Sequence, residues 1–323
     1  MNPSTKLAPI DRVEITTIVD NMLDVLLPSS ESVKRYVLKE DFFESEQLVA
    51  EHGFAALVTL HAGDRSETFL FDAGLSRTGL IHNMDVLEIR PDQLRCIVLS
   101  HGHADHSNGL MGLAQRMGGR RVPLLLHPDA MAQRRFQLPD GRHINLPPPE
   151  RESLAREGIE IVAERKPTLL LDGMAMITGQ IERTTEFEKG LGAHFALIDG
   201  SWKPDPLVHD DQALIVNLKD RGLVVLTGCG HAGVINTVRH AQKETGNTKV
   251  CAVIGGFHLS GPVFEKIIPP TVAAFHELQP QLLVPAHCTG WKAIHQIARE
   301  FPDAFVQNSV GTRFVLDAKQ AAA

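Results

Sequence analysis

The sequence predicts an α/β fold in which two mixed β-sheets pack face to face with helices outside. Three observations lead there. Short apolar runs of strand length alternate with polar or helical stretches, hairpins occur in both halves, and histidines sit where strands end. Strands with interspersed helices and hairpins suit a layered sandwich better than one parallel sheet.

Val13–Val19 and Phe54–Leu60 read as strands, and Thr68–Phe71 as another that stops at Asp72-Ala73-Gly74. Cys96–Leu99 is a compact buried strand running directly into His101. Ser107–Met117 has a helical pattern and Val122–Leu126 is apolar again. The Pro-rich, charged stretch near 139–156 reads as a surface excursion, a lid or a homodimer contact, within one domain spanning 1–323. Met176–Ile181 is strand-like. Ala213–Leu218 and Leu223–Leu226 flank Lys219-Asp220-Arg221-Gly222, a hairpin turn with glycine placed for tight geometry. A helix over Gly233–Lys243, a strand over Val250–Ile254, a helix over Thr271–Leu278 and a strand over Gln281–Val284 complete the reading.

Composition is that of a globular protein, 43% hydrophobic and 22% charged over 323 residues. A net charge of -7 argues against nucleic acid as a partner and leaves a small molecule as the expected one. The four cysteines, Cys96, Cys229, Cys251 and Cys288, form no CxxC pair and read as free thiols of a reducing compartment. The amino terminus lacks an apolar signal core, and no apolar run reaches the roughly 20 residues that span a bilayer. The expected location is therefore cytoplasmic, without membrane contact.

Sixteen histidines against one tyrosine direct attention to where the imidazoles fall. The informative run is CIVLSHGHADHSNGL, residues 96–110. In extended backbone, residues two apart point the same way, so His101 and His103 can grip one cation. Asp105 and His106 follow as the chain turns towards a helix and can aim at a neighbouring point. Gly102 and Ala104 keep the loop narrow. Imidazoles with a carboxylate suit zinc, iron or manganese.

This run resembles the HxHxDH signature of the metallo-β-lactamase superfamily, and Phe71-Asp72-Ala73-Gly74 resembles its preceding Asp-containing motif. The resemblance implies a metallo-β-lactamase-like αββα sandwich and an Asp72 that orients the metal loop from behind. LTGCGHAG (226–233), GGFHL (255–259) and PAHCTG (285–290) follow in order. With Asp20-Asn21, Glu51-His52-Gly53 and Gly311-Thr312-Arg313, they resemble the branch named after 7,8-dihydropterin-6-methyl-4-(β-D-ribofuranosyl)-aminobenzene-5′-phosphate synthase.

The same resemblance implies His287 as the last histidine ligand, on the second metal, and His231 as a ligand of the first. Cys229 stands where many members carry a bridging aspartate, and reads either as a thiolate ligand or as a small buried residue. His209 competes with His231 for the third-histidine role, against a surface-loop reading beside Asp210 and Asp211. His258 is expected to touch substrate or transfer a proton. Asn21 and His52 are candidate substrate contacts. Arg183, in Glu182-Arg183-Thr184, is a candidate for holding an anionic group, although a solvated salt-bridging turn is its ordinary reading.

The expected activity is hydrolysis of a phosphoester or related small molecule by water activated between two divalent ions, zinc first, with Asp105 and His258 catalytic. The phosphoester expectation comes from the resemblance alone. Three alternatives remain: a pterin-related synthase or lyase, a mononuclear iron oxygenase on the same fold, and a metal-binding sensor without catalysis.

Overall fold

The structure, a computed structural model, describes residues 6–319. One eight-stranded sheet runs in the order Ile159–Ala163, Val122–Leu126, Leu94–Val98, Arg65–Phe71, Ala55–Ala62, Arg12–Val19, Arg313–Asp317 and Val33–Lys34. A seven-stranded sheet runs Thr168–Leu170, Ala175–Ile177, Ala213–Leu218, Gly222–Thr227, Val250–Gly256 and Leu282–Ala286, with Pro9–Ile10 added beside Ala213–Leu218. Both sheets are mixed, as the combination of hairpins and crossover helices requires.

Strand periodicity explains the layers. Leu214, Val216 and Leu218 enter the core between the sheets, while Ala213 and Ile215 face the helices. Cys96 and Val98 point inward, and Leu94 and Ile97 outward, in the same way. Helices Gly79–Val86, Leu110–Arg116 and Arg151–Arg156 cover one outer face through Leu80, Leu113 and Leu154. Helices Val234–Thr245, Ile268–Leu278 and Trp291–Glu300 cover the other through Val238, Phe275 and Ile297. Each such side chain contributes roughly 1.5–3 kcal/mol by leaving water, and strands apolar on both faces are the result. This is the expected αββα sandwich.

Three local expectations change. Ser107–Met117 is two helices, Ala104–Ser107 and Leu110–Arg116, parted at Asn108-Gly109. The strand begun at Met176 ends at Ile177 instead of Ile181. A small third sheet joins Ser201–Pro204, His194–Ile198, Arg134–Gln137 and His143–Leu146. It absorbs the start of the excursion near 139–156, whose later part is helix Arg151–Arg156. Among the described residues no helix is long and apolar enough to cross a membrane.

Candidate metal centre

The loop after strand Leu94–Val98 is fixed from beneath by Asp72. Its Oδ1 accepts the Ser100 backbone N–H at 2.7 Å, and its Oδ2 accepts the Ser100 hydroxyl and His106 Nδ1–H, each at 2.7 Å. Gly102 donates its N–H to Asp210 Oδ2 at 2.8 Å, and a Cβ on it would lie 2.0 Å from the Ala130 carbonyl oxygen. No other residue fits that approach without moving the loop. Asp210 is itself gripped by the buried Arg134 guanidinium at 2.5 and 3.0 Å.

Hydrogen bonds determine which ring nitrogen of each histidine is left to face the site. The Ser100 hydroxyl is already donating to Asp72, so its oxygen accepts from His101 Nδ1–H at 2.9 Å. His101 Nε2 is then left buried without a partner. His194 donates Nδ1–H to the Asp205 carbonyl, so its Nε2 accepts from His103 Nε2–H at 2.9 Å. That leaves the His103 Nδ1 lone pair facing His231 Nε2 across 3.1 Å. Asn21 donates Nδ2–H to the His287 carbonyl, which turns its Oδ1 to accept His287 Nδ1–H at 3.2 Å. His287 Nε2 then faces His106 Nε2 at 3.2 Å and Asp105 Oδ2 at 3.3 Å.

Donor atoms within 4.8 Å of one another form overlapping groups: Asp105, His106, Cys229 and His287; His101, Cys229 and His231; and Cys229, His258 and Cys288. Cys229 is common to all, with Sγ 3.2 Å from His106 Nε2. It is both buried and among the donors, so its two sequence readings are not exclusive.

Charge follows the same design. Burial, with crowding by neighbouring imidazoles, holds His101, His103 and His231 well below the ordinary histidine value, so each presents a neutral lone pair. Burial also pulls on His106, but the Asp72 and Asp105 carboxylates outweigh it and raise the group to about 9. Asp105 is held far down despite burial, chiefly by His106 and His287. Burial pushes the Cys229 thiol up. Asp72, His258 and His287 all adopt left-handed backbone, at φ of 60°, 46° and 48°. Strain of that kind collects at functional sites.

The sequence model of the metallo-β-lactamase superfamily matches residues 51–174, which contain the Asp72 turn and the histidine loop. The solved structure of Tm1679, a metal-dependent hydrolase of the β-lactamase superfamily, superposes with a TM-score of 0.71 at 25% identity, over 94% of this chain and 99% of that one. The fold of the chain is that of the metallo-β-lactamase superfamily, whose sequence model it matches across the histidine loop. It is also 28% identical to the 7,8-dihydropterin-6-methyl-4-(β-D-ribofuranosyl)-aminobenzene-5′-phosphate synthase of Methanocaldococcus jannaschii, over 87% of this chain and 96% of that protein. The metallo-β-lactamase fold protein YhfI of Bacillus subtilis shares the fold, with a TM-score of 0.51 at 13% identity over 95% and 99% of the two chains.

Several expected site residues stand elsewhere. His209 is exposed, its Nδ1 3.1 Å from Gln180 Nε2, and belongs to none of the donor groups. Arg183 is no anion holder: its guanidinium donates to the carbonyls of Leu207, Ala232 and Glu188. Asn21 lies behind His287 and orients it, away from the cavity over the donors. His52 is at the rim, Nε2 3.7 Å from Asp105 Oδ2, and His258 packs its ring 4.3 Å from that of His231. Sequence reasoning missed His194, Asp205 and the Arg134–Asp210 pair, whose partners are distant along the chain. Cys288 was within reach, being the neighbour of His287 in PAHCTG.

Proposed function

We propose that the chain is a metal-dependent hydrolase of small molecules holding two divalent cations. The observation that supports this is the placement of protons: four imidazoles each anchor one ring nitrogen and turn the other towards shared points. His101, His103 and His231 would hold one cation, and Asp105, His106 and His287 the other, with Cys229 between them. The orphaned, buried His101 Nε2 and the His103 Nδ1 lone pair, 3.1 Å from His231 Nε2, are what such a donor set needs. Imidazole with thiol favours zinc or iron over manganese. When bound, the cations supply Lewis acidity to a substrate oxygen and acidify water.

The chain's own residues supply the rest. Asp105, kept anionic by His106 and His287, would hold its cation and orient the attacking water, whose proton passes to solvent. His258 lines the cavity beside the Cys288 thiol and would deliver a proton to the leaving group. The bond cleaved is an ester, with phosphoesters the class that the resemblance implies.

Asp105→Ala, made in protein supplied with zinc and assayed on a panel of small esters and phosphoesters, is expected to lose roughly 10²–10⁴-fold of turnover while keeping its far-ultraviolet circular dichroism. Full turnover in a folded Asp105→Ala protein rejects the assignment. A second reading, pterin-type synthase chemistry, draws support from the relative in Methanocaldococcus jannaschii. Turnover in ¹⁸O-water separates the two, since hydrolysis must place solvent oxygen in a product and a synthase need not.

A further inference from the structure

A cavity of 1130 Å³ opens directly over the donors, with His103, Asp105, Cys229, His231 and His258 at its base. Its walls are Phe136, Ile144 and Leu146 of the small third sheet and Leu138 of the turn between those strands, with Val263 and Phe264 also lining it. No lysine or arginine is among the residues lining it. Four arginines of the chain are committed elsewhere. Arg134 is buried between Asp205 and Asp210, the Arg135 guanidinium lies 4.3 Å from the Trp202 ring centroid, and Arg142 pairs with Asp140. Arg183 is spent on backbone carbonyls.

The rim repeats the pattern. Leu75, Ile144 and Val263 line this cavity and are 37%, 49% and 64% exposed, among the large apolar side chains that the fold leaves in water. Sites that recognise a phosphoryl group place guanidinium or ammonium donors around it. Here the lining supplies no such donor, so any charge matching an anion would have to come from the bound cations, which Asp105 partly neutralises. A neutral ester needs no such donor, because its oxygen gains charge only in the transition state.

We infer that the substrate is an uncharged carboxylic ester carrying an apolar acyl chain, which lies along the wall of Phe136, Ile144, Leu146 and Val263. The inference rests on the hydrolase reading above and replaces its phosphoester expectation with an acyl one. In the step, the water oxygen bonds to the acyl carbon and the acyl carbon–oxygen bond breaks. One water proton passes to the leaving alcohol and the other to solvent, giving carboxylate and alcohol.

Two measurements on the zinc-loaded protein test it. The first is calorimetric binding of 2-hexanone, 2-heptanone, 2-octanone and 2-nonanone, which cannot be hydrolysed. Affinity should rise roughly fourfold per methylene until the wall is covered, with a negative heat-capacity change. Ile144→Asp should flatten that series without altering bound zinc. The second is kcat/KM for p-nitrophenyl acetate, butanoate, hexanoate and octanoate, which should climb in parallel, against p-nitrophenyl phosphate. Parallel climbs in both series support the inference. Flat series, or p-nitrophenyl phosphate preferred to every acyl ester, overturn the acyl class and leave the hydrolase reading standing. Ketones bound with the chain-length climb, but no ester or phosphoester cleaved, would uphold the apolar ligand and overturn hydrolysis.

Discussion

Asp72→Asn isolates the part of the site that a cation never touches. The Asp72 carboxylate is fully buried and accepts three hydrogen bonds, all at 2.7 Å, from Ser100 N–H, Ser100 Oγ–H and His106 Nδ1–H. A carboxamide of the same shape has one acceptor oxygen and one NH₂ donor. If the NH₂ faces Ser100 N–H, two donors collide and the bond is lost, costing about 1.5–3 kcal/mol for a charged acceptor. If it faces His106, the imidazole must move its proton to Nε2, the nitrogen directed at His287 and Cys229 at 3.2 Å. That atom then has no lone pair for a cation. The expected result is a 10–100-fold loss of zinc affinity, or about 1.4–2.7 kcal/mol. Chelator competition on metal-free protein measures the affinity, and thermal melts of the same protein isolate the folding cost. Affinity within about threefold of wild type together with an unchanged melt would refute the role given to the Asp72–His106 bond.

Two further outcomes follow from the same geometry. His287→Ala, analysed for metal by element, should fall from about two equivalents to about one; an unchanged stoichiometry, or a single iron in both proteins, would favour the oxygenase alternative. His106 is raised to about 9, so below that value a cation must displace its proton. Apparent zinc affinity should therefore increase by roughly tenfold per pH unit between pH 6 and 8 and weaken as pH falls. A flat profile would mean that His106 does not bind the metal.

Legibility in the sequence tracked distance along the chain. The histidine loop was readable because its members sit within six positions and follow a strand marked by continuous apolar residues, Cys96 to Leu99. The layers were readable because Leu214 and Ile215, or Val224 and Val225, alternate in a way any strand-period reading detects. The third sheet escaped because Arg134–Gln137 carries charged and polar residues without clean alternation, and His143–Leu146, although it alternates, is only four residues long inside a Pro-rich stretch. The anchors escaped for another reason: Asn21 meets His287 across 266 positions and His103 meets His194 across 91. Nothing local in either partner records such pairings. His209 turns to solvent, as its surface-loop reading has it, but Asp210 and Asp211, whose charge suggested that loop, face inward, Asp210 to Arg134 and Asp211 to the Ala232 N–H.

Those distant pairings make the donor set a property of how the sheets dock. Asp20, at the end of strand Arg12–Val19, accepts His287 N–H and Asn308 Nδ2–H at 2.8 Å, and Asn308 in turn accepts from Thr17. The last strand of one sheet is thereby tied to the other sheet beside the site. At the opposite side, a Cβ on Gly228 would lie 2.1 Å from Ser100 Oγ and 2.7 Å from Asp72 Oδ2, so the sheets close there only over glycine. Bringing neutral lone pairs together, and holding Asp72, His258 and His287 in left-handed backbone at roughly 1–3 kcal/mol each, opposes folding locally. A cation that bridges donors from both sheets binds the docked state alone, and at a hundred times its dissociation constant adds about 2.7 kcal/mol to it. Metal binding there would thus offset strain that the docked sheets carry at the site.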